Sequence, residues 1–164
     1  MPGAGFYAIG ASDIVFGRDG HWYADGERIT NPKIALLFSR HLTRAADGTY
    51  ALVMGDERAT VTVEDTPWAV TRLDGDPAHG FRITLNDQTT EPLDPASLVI
   101  AADNSFSCSV KGGSARARFL RPPHYALSGY VEPTRRPGEF AIQVGGRRYV
   151  VAAEAASRAG VGRD

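Results

Sequence analysis

The alternation of apolar and polar residues along the chain predicts a protein built mainly of β-strands. In four segments apolar side chains occupy every second position, as half-buried strands require because successive side chains point to opposite faces. These apolar positions are Ala59, Val61 and Val63; Phe81, Ile83 and Leu85; Phe106, Cys108 and Val110; and Phe140, Ile142 and Val144. Turn-forming pairs along the chain predict tight hairpins: Asp19-Gly20, Asp25-Gly26, Asp47-Gly48, Gly112-Gly113 and Gly145-Gly146.

One segment has helical periodicity instead. Its apolar positions lie on one helix face: Ile34, Leu37, Phe38, His41 and Leu42. Asn31 is a good N-cap and Pro32 suits the first helical position, so the pattern predicts a helix from Pro32 to about Arg44. Further on, Pro122-Pro123 could open a short helical turn through Tyr125 and Leu127, which Gly129 would end.

The order of these elements predicts two halves built from one motif. Each half has a hairpin, a helix opened by proline, a turn and a strand. The Asp19-Gly20 hairpin would correspond to the Gly112-Gly113 hairpin, and the strand 50–54 to the strand 140–144. A run of turn formers, residues 74–80, suggests a boundary. We expect an N-terminal hairpin-helix-strands domain over residues 1–77 and a C-terminal β-rich domain over residues 78–164, whose last dozen residues form a frayed tail.

The predicted fold class is therefore α+β, with two small β-rich domains and mainly antiparallel sheets. A hydrophobic content of 43% is ordinary for a globular protein. The chain has no run of eighteen apolar residues, which argues against a membrane-spanning helix. A single cysteine, Cys108, cannot form an internal disulfide, so we expect a reducing, cytoplasmic location.

The net charge of −1 hides an uneven distribution of charge. Residues 1–104 carry 8 basic against 15 acidic side chains, whereas residues 105–164 carry 10 basic against 4 acidic ones. Either the two halves attract each other, or the basic half meets a small anion or an acidic partner. The acidic half would repel a phosphate backbone, which disfavours nucleic acid as a partner.

The sequence contains no recognisable catalytic machinery and implies no cofactor. The four histidines are not at a metal-ligand spacing and no cysteine pair is present, which argues against a metal site. His41 lies on the apolar helix face, where a hydrogen-bonded core histidine is the usual case. Glu64 and Asp65 are neighbours at a strand end and would point to opposite faces, which favours a structural role over acid–base catalysis.

Arginines in the basic half form the strongest candidate site. Arg116 and Arg118 share one strand face, and Arg121 follows at the turn into the second helical segment. Guanidinium groups recognise carboxylates and phosphates through two parallel hydrogen bonds. The alternatives are a solvated strand face and pairing with acidic residues of the first half. His124 and Tyr125 are close enough in sequence to line the same cleft.

Several motifs together resemble a bacterial domain of unknown function, the family numbered 1285. The most specific are the Glu64-Asp65-Thr66-Pro67-Trp68 segment and the Arg121-Pro122-Pro123-His124-Tyr125 segment, supported by the segments 19–23, 47–50 and 110–113. The resemblance covers roughly residues 13–151 and implies two small β-rich domains with a role in ligand binding or signalling. It implies no established reaction. This sequence departs from the family pattern after Tyr125, where Gly129 and Pro133 interrupt a longer helix.

These observations favour a non-enzymatic ligand-binding or regulatory module that recognises a small anion between its halves. The predicted lining is Trp22, Trp68, Arg118, Arg121, His124 and Tyr125. The alternatives are an enzyme with His124 or His41 as base and Arg121 stabilising an anion, and a subunit-interaction protein that uses exposed strand edges. The sequence leaves the oligomeric state open.

Overall fold

The structure, a computed structural model, describes residues 13–154 and has the predicted α+β architecture. It divides into two compact units. The first comprises Met1–Pro67 together with Asn86–Gln88, and the second comprises Trp68–Leu85 and Thr89–Asp164. The division after Pro67 lies ten residues before the predicted boundary at 77/78, which falls in the turn between two paired strands of the second unit.

The first unit is a six-stranded sheet with one helix. Its elements are β1 (Ile14–Phe16), β2 (Trp22–Ala24), β3 (Glu27–Arg28), α1 (Pro32–His41), β4 (Leu42–Arg44), β5 (Tyr50–Met54) and β6 (Glu57–Val63). The strands are ordered β3-β2-β1-β6-β5-β4. β6 returns parallel to β1, and the other neighbours are antiparallel.

The second unit is a nine-stranded sheet with a second short helix. Its elements are β7 (Trp68–Asp76), β8 (Gly80–Leu85), β9 (Thr90–Pro92), a 3-10 turn (Pro95–Ser97), β10 (Val99–Ile100), β11 (Phe106–Val110), β12 (Ala115–Phe119), α2 (Arg121–Ser128), β13 (Val131–Pro133), β14 (Phe140–Val144) and β15 (Arg147–Ala153). The strands are ordered β13-β14-β15-β10-β11-β12-β7-β8-β9. The part of the predicted C-terminal tail from residue 155 onward lies outside the described residues.

The two units share one topology, as the sequence predicts. In the second unit β10 to β15 with α2 repeat the order and pairing of β1 to β6 with α1, including the parallel return of β15 beside β10. The repeat differs from the predicted alignment by one hairpin. The Lys111–Ser114 turn joins β11 to β12, so its counterpart is the Asp25-Gly26 turn between β2 and β3, not Asp19-Gly20. β7 to β9 have no counterpart among the described residues of the first unit and extend the second sheet beyond β12.

A glutamate holds the first turn of each copy in the same way. In the first unit Glu64 Oε1 accepts a 3.0 Å hydrogen bond from the Arg18 amide. In the second unit Glu154 Oε1 accepts one of 3.4 Å from the Ala102 amide. Glu64 therefore has the structural role that its position at a strand end predicts.

Alternation predicts the buried faces of three strands correctly. Ala59 and Val61 are buried in β6, as are Phe81, Ile83 and Leu85 in β8 and Phe106, Cys108 and Val110 in β11. In β14 Ile142 is buried as expected, but Ala141 on the opposite face is buried as well. Both faces of β14 are therefore partly covered.

The first helix is shorter than predicted. Its N-cap is Asn31, whose side chain accepts from the Lys33 amide, but it ends at His41 rather than near Arg44. Leu42 already has an extended backbone and pairs with Leu52, because residues 42–44 form β4. Of the predicted apolar face Phe38 is fully buried, whereas Ile34 and Leu37 are half-buried.

Candidate functional site

The second helix begins where the sequence predicts and presents His124 to the sheet. Pro122 and Pro123 lie in its first turn, where proline is tolerated because those N–H groups lack helical partners. Pro123 and Leu127 are buried, and Gly129 ends the helix after eight residues. This packing anchors one side of α2 and leaves His124 half-buried.

Beside α2 lies a cavity of about 230 Å³, which we call the α2 cleft. Four apolar side chains form most of its wall: Ile100, Phe106, Val131 and Phe140. Three polar ones complete it: Asn104, His124 and Ser128. The cleft therefore combines an apolar floor with a few polar groups, the composition typical of small-molecule sites.

The imidazole of His124 is held by aromatic contacts. Its ring centroid lies 4.8 Å from that of Phe106 and 5.6 Å from that of Tyr125. Within residues 13–154 neither ring nitrogen of His124 makes a hydrogen bond, and the Asn104 side-chain amide makes none either. Ser128 Oγ donates to the Tyr125 carbonyl at 2.9 Å and still has lone pairs to accept. All three side chains can therefore bond to a ligand.

The equivalent place in the first unit is filled. The repeat puts Trp22 at the position of Phe106, Ala35 at that of His124 and Ser39 at that of Ser128. The Trp22 indole is 2% exposed and donates a 2.9 Å hydrogen bond from Nε1 to Ser39 Oγ. A tryptophan thus occupies in the first copy the space that the second copy leaves open.

The predicted tryptophans lie in different units. Trp22 packs against Phe16 and Phe38 in the first core, so a ligand would have to displace core side chains to reach it. Trp68 begins β7, packs beside the second core and carries the Lys111 ammonium 4.4 Å above its ring. Neither indole lines the α2 cleft.

Arg116 and Arg118 are engaged within the second unit. Arg116 donates to the Ser97 carbonyl at 3.0 Å and to the hydroxyls of Ser107 and Ser109. Arg118 forms a 2.9 Å ion pair with Asp103. Arg118 thus pairs with an acidic residue of the 1–104 stretch, which is one of the two alternatives to anion binding, whereas the serine and carbonyl contacts of Arg116 match neither alternative.

The ion pair with Arg118 also affects the pKa of the Asp103 carboxyl. A hydrogen bond from the Ser105 hydroxyl and the one from Arg118 hold the pKa of the Asp103 carboxyl well below its usual range. Asp103 directly precedes Asn104 of the cleft, so this pair also anchors the turn that carries Asn104.

Arg121 is the one arginine of the predicted set without a polar side-chain partner among the described residues. It is exposed at the start of α2. Its helical spacing to His124 and Tyr125, three and four residues on, puts the three side chains on one helix face. Five of the six predicted residues thus belong to the second unit, and Arg121, His124 and Tyr125 share one surface.

Cys108 and His41 are both held in packed surroundings. Cys108 is fully buried, and burial raises the pKa of its thiol to about 12. His41 Nδ1 donates to the Leu37 carbonyl at 2.8 Å, as expected for a core histidine.

No three His, Cys, Asp or Glu side chains within residues 13–154 are grouped so that they could hold a metal ion. No helix in that range has the length and apolar character needed to cross a membrane.

Sequence reasoning missed the polar residues Asn104 and Ser128. The repeat could have indicated both, because Ser128 corresponds to Ser39 and Asn104 to Gly20. For Asn104 the signal is a difference between the copies, because Asn104 replaces Gly20 where Phe106 replaces Trp22, whereas Ser128 is a serine that both copies share.

Comparisons with known proteins confirm the predicted resemblance. Residues 7–66 match the family model of the domain of unknown function DUF1285, N-terminal domain. The structure resembles a DUF1285 family protein from Silicibacter pomeroyi DSS-3, with a TM-score of 0.66 and 20% identity over 87% of this chain and 81% of that one. It also resembles a DUF1285 family protein from Shewanella baltica OS155, with a TM-score of 0.55 and 22% identity over 75% of this chain and 94% of that one. No curated protein sequence matches the chain.

Proposed function

We propose that this protein of the DUF1285 type is a regulatory module that binds a small ligand in the α2 cleft. The observation that carries the proposal is the cavity of about 230 Å³ beside His124. Its ligand would have an apolar, planar body and one anionic group. A ligand site between the two halves, which the uneven charge of the sequence favours, stays a prediction.

The apolar body follows from the wall of the cleft. Phe106 and Phe140 offer aromatic surface, and Ile100 and Val131 add aliphatic surface. Burying a ring against such a wall is favourable at roughly 25 cal/mol per Å² of apolar area. Aromatic rings also stack in offset or tilted arrangements, as His124 and Phe106 already do at 35°.

The anionic group follows from the donors at the rim. His124 and Asn104 can donate hydrogen bonds into the cleft, and Arg121 lies one helical turn before His124. Because the Arg121 guanidinium has no partner among the described residues, it can pair with a ligand carboxylate without first breaking a bond.

The enzyme alternative has less support at this site. A catalytic histidine is usually oriented by a third group, most often a carboxylate. No Asp or Glu within residues 13–154 hydrogen-bonds His124. We therefore favour ligand binding over catalysis at this site, with His124 contacting the ligand.

Benzoate tests the proposal, because it joins one ring to one carboxylate and suits the size of the cleft. We expect benzoate to raise the unfolding temperature in a concentration-dependent way, since a ligand of the folded state stabilises it by mass action. Benzamide, which lacks the charge, should bind more weakly. Phe106→Trp, which copies the first unit, should fill the cleft and abolish the shift.

Matched variants assign the polar contacts. His124→Ala and Arg121→Gln should each weaken benzoate binding. His79→Ala should not, because His79 is an exposed turn residue paired with Asp76. A benzoate shift that survives Phe106→Trp, or no shift at any concentration, would contradict the proposal.

A further inference from the structure

A second cavity lies on the outer strands of the second unit and is independent of the α2 cleft. Its volume is about 330 Å³, and we call it the β14 cleft. Its lining includes Pro77, Tyr130, Glu132, Ala141, Gln143 and Arg148. Strand alternation puts Glu132 and Ala141 on the sheet face opposite to Val131 and Phe140, which line the α2 cleft.

Opposite charges stand at the two ends of the β14 cleft. Glu132 on β13 lies opposite Ala141 on β14, and Arg148 on β15 lies opposite Gln143. Glu132 and Arg148 are thus two strands apart and offset by two residues along the strands. With ordinary strand spacing and rise, their Cα atoms are roughly 12 Å apart.

Neither charge is neutralised within the described part of the chain. Glu132 and Arg148 form no ion pair and no side-chain hydrogen bond with any residue from 13 to 154. The side chains of Glu132 and Arg148 therefore leave a gap between them. Ala141, which is 5% exposed, forms a small-residue floor under that gap.

The middle of the gap carries groups that suit a peptide unit. The side-chain amide of Gln143 can donate and accept, and it makes no hydrogen bond within residues 13–154. The Tyr130 hydroxyl can likewise donate and accept a hydrogen bond. A peptide N–H and C=O placed over Ala141 would find complementary partners.

The walls are fixed before any ligand arrives. The Pro77 carbonyl accepts a 2.7 Å hydrogen bond from the Gly145 amide, which ties the turn between β7 and β8 to the turn between β14 and β15. The Tyr130 ring packs against Phe81 with centroids 5.1 Å apart. A preformed cleft avoids much of the entropy cost of ordering a site on binding.

From these observations we infer that the β14 cleft binds a small linear zwitterion the size of a dipeptide. Glu132 receives the ammonium group, Arg148 receives the carboxylate, and Gln143 contacts the peptide unit between them. This site is separate from the α2 cleft, so either can fail without the other.

Glycylglycine is the probe for this inference, with two capped forms as controls. Binding is followed by NMR titration of the isotopically labelled full chain, because contacts to exposed charges are weak. We expect saturable shift changes at the backbone amides of Ala141 and Gln143. N-acetyl-glycylglycine and glycylglycinamide, which each lack one charge, should bind at least about threefold more weakly.

Substitutions separate the two ends of the site. In Glu132→Gln, glycylglycine and its acetylated form should bind equally, because the carboxylate that distinguishes them is gone. In Arg148→Gln, glycylglycine and its amide should bind equally. Arg147→Gln, on the neighbouring exposed residue, should leave all three affinities unchanged.

Ala141→Leu should fill the floor and abolish binding, while its spectrum reports whether the sheet is intact. Benzoate should still bind this variant if the α2 cleft acts as proposed. Shift changes that map away from β14, equal binding of all three peptides to the unmodified protein, or no binding of glycylglycine would each overturn the inference.

Discussion

The Trp22 indole donates a 2.9 Å hydrogen bond from Nε1 to the Oγ of Ser39, and both residues are only 2% exposed. Ser39 also accepts a 2.9 Å bond from the Asn86 side-chain amide. One hydroxyl on α1 thus satisfies two donors in the first unit. The same helix position in the second unit is the exposed Ser128, which borders a cleft instead.

Removing the Ser39 hydroxyl should destabilise the protein. Ser39→Ala would leave the buried Trp22 N–H without its acceptor, and an unsatisfied buried donor costs about 1–3 kcal/mol. Chemical denaturation monitored by tryptophan fluorescence measures the free energy of unfolding. Ser128→Ala at the equivalent position is the control and should change it by less than about 0.5 kcal/mol. Equal effects of the two variants would refute the role assigned to Ser39.

Neighbouring residues on α1 should differ sharply in their contribution to stability. Phe38 is fully buried and contacts Trp22 edge-on, so Phe38→Ala should cost about 3–5 kcal/mol. Leu37 is only half-buried, so Leu37→Ala should cost clearly less. Urea denaturation of both variants provides the comparison, and a larger loss for Leu37→Ala would mean that the helix is rotated from the described orientation.

The pair between Asp103 and Arg118 should stabilise the fold in a pH-dependent way. The pKa of Asp103 is lower in the folded protein than in the unfolded chain, so its contribution is fully present above the unfolded value of about 3.9. It is lost as the pH falls below that value toward the folded pKa. The stability difference between the unmodified protein and Asp103→Asn should therefore shrink as the pH drops below about 5.

Thermal unfolding between pH 7 and pH 3 checks this prediction. Asp56→Asn, in the exposed turn between β5 and β6, serves as the control. If the difference caused by Asp103→Asn stays constant across this range, the ion pair does not stabilise the fold through the carboxylate.

Cys108 should be inert in the folded protein. It is fully buried, and its thiol pKa of about 12 leaves almost no thiolate at neutral pH. A thiol reagent such as iodoacetamide should label it only after denaturation. Ser114→Cys, at an exposed turn, should react quickly in the native state of a Cys108→Ser background. Fast native labelling of Cys108 would show that β11 has a different register.

Local chemistry in the sequence determined much of this structure by itself. The buried faces of β6, β8 and β11 follow from side-chain alternation, which the pleat of a strand imposes on each segment. The N-cap Asn31 and the end of α2 at Gly129 follow equally from backbone groups a few residues away. The repeat of the two motifs was visible for the same reason, because each copy carries its own helix start and turns.

Only the tertiary structure decided what depends on distant partners. α1 ends at His41 because Leu42 pairs with Leu52, a contact that no helical periodicity reports. Arg118 is tied to Asp103, fifteen residues earlier, rather than left free for an anion. The α2 cleft has Phe106 in its wall where the first copy has the buried Trp22, and that difference is recognised only when the elements of the two copies are matched. Periodicity reflects a residue's immediate neighbours, whereas pairing and cavities depend on which distant segments the folded chain brings together.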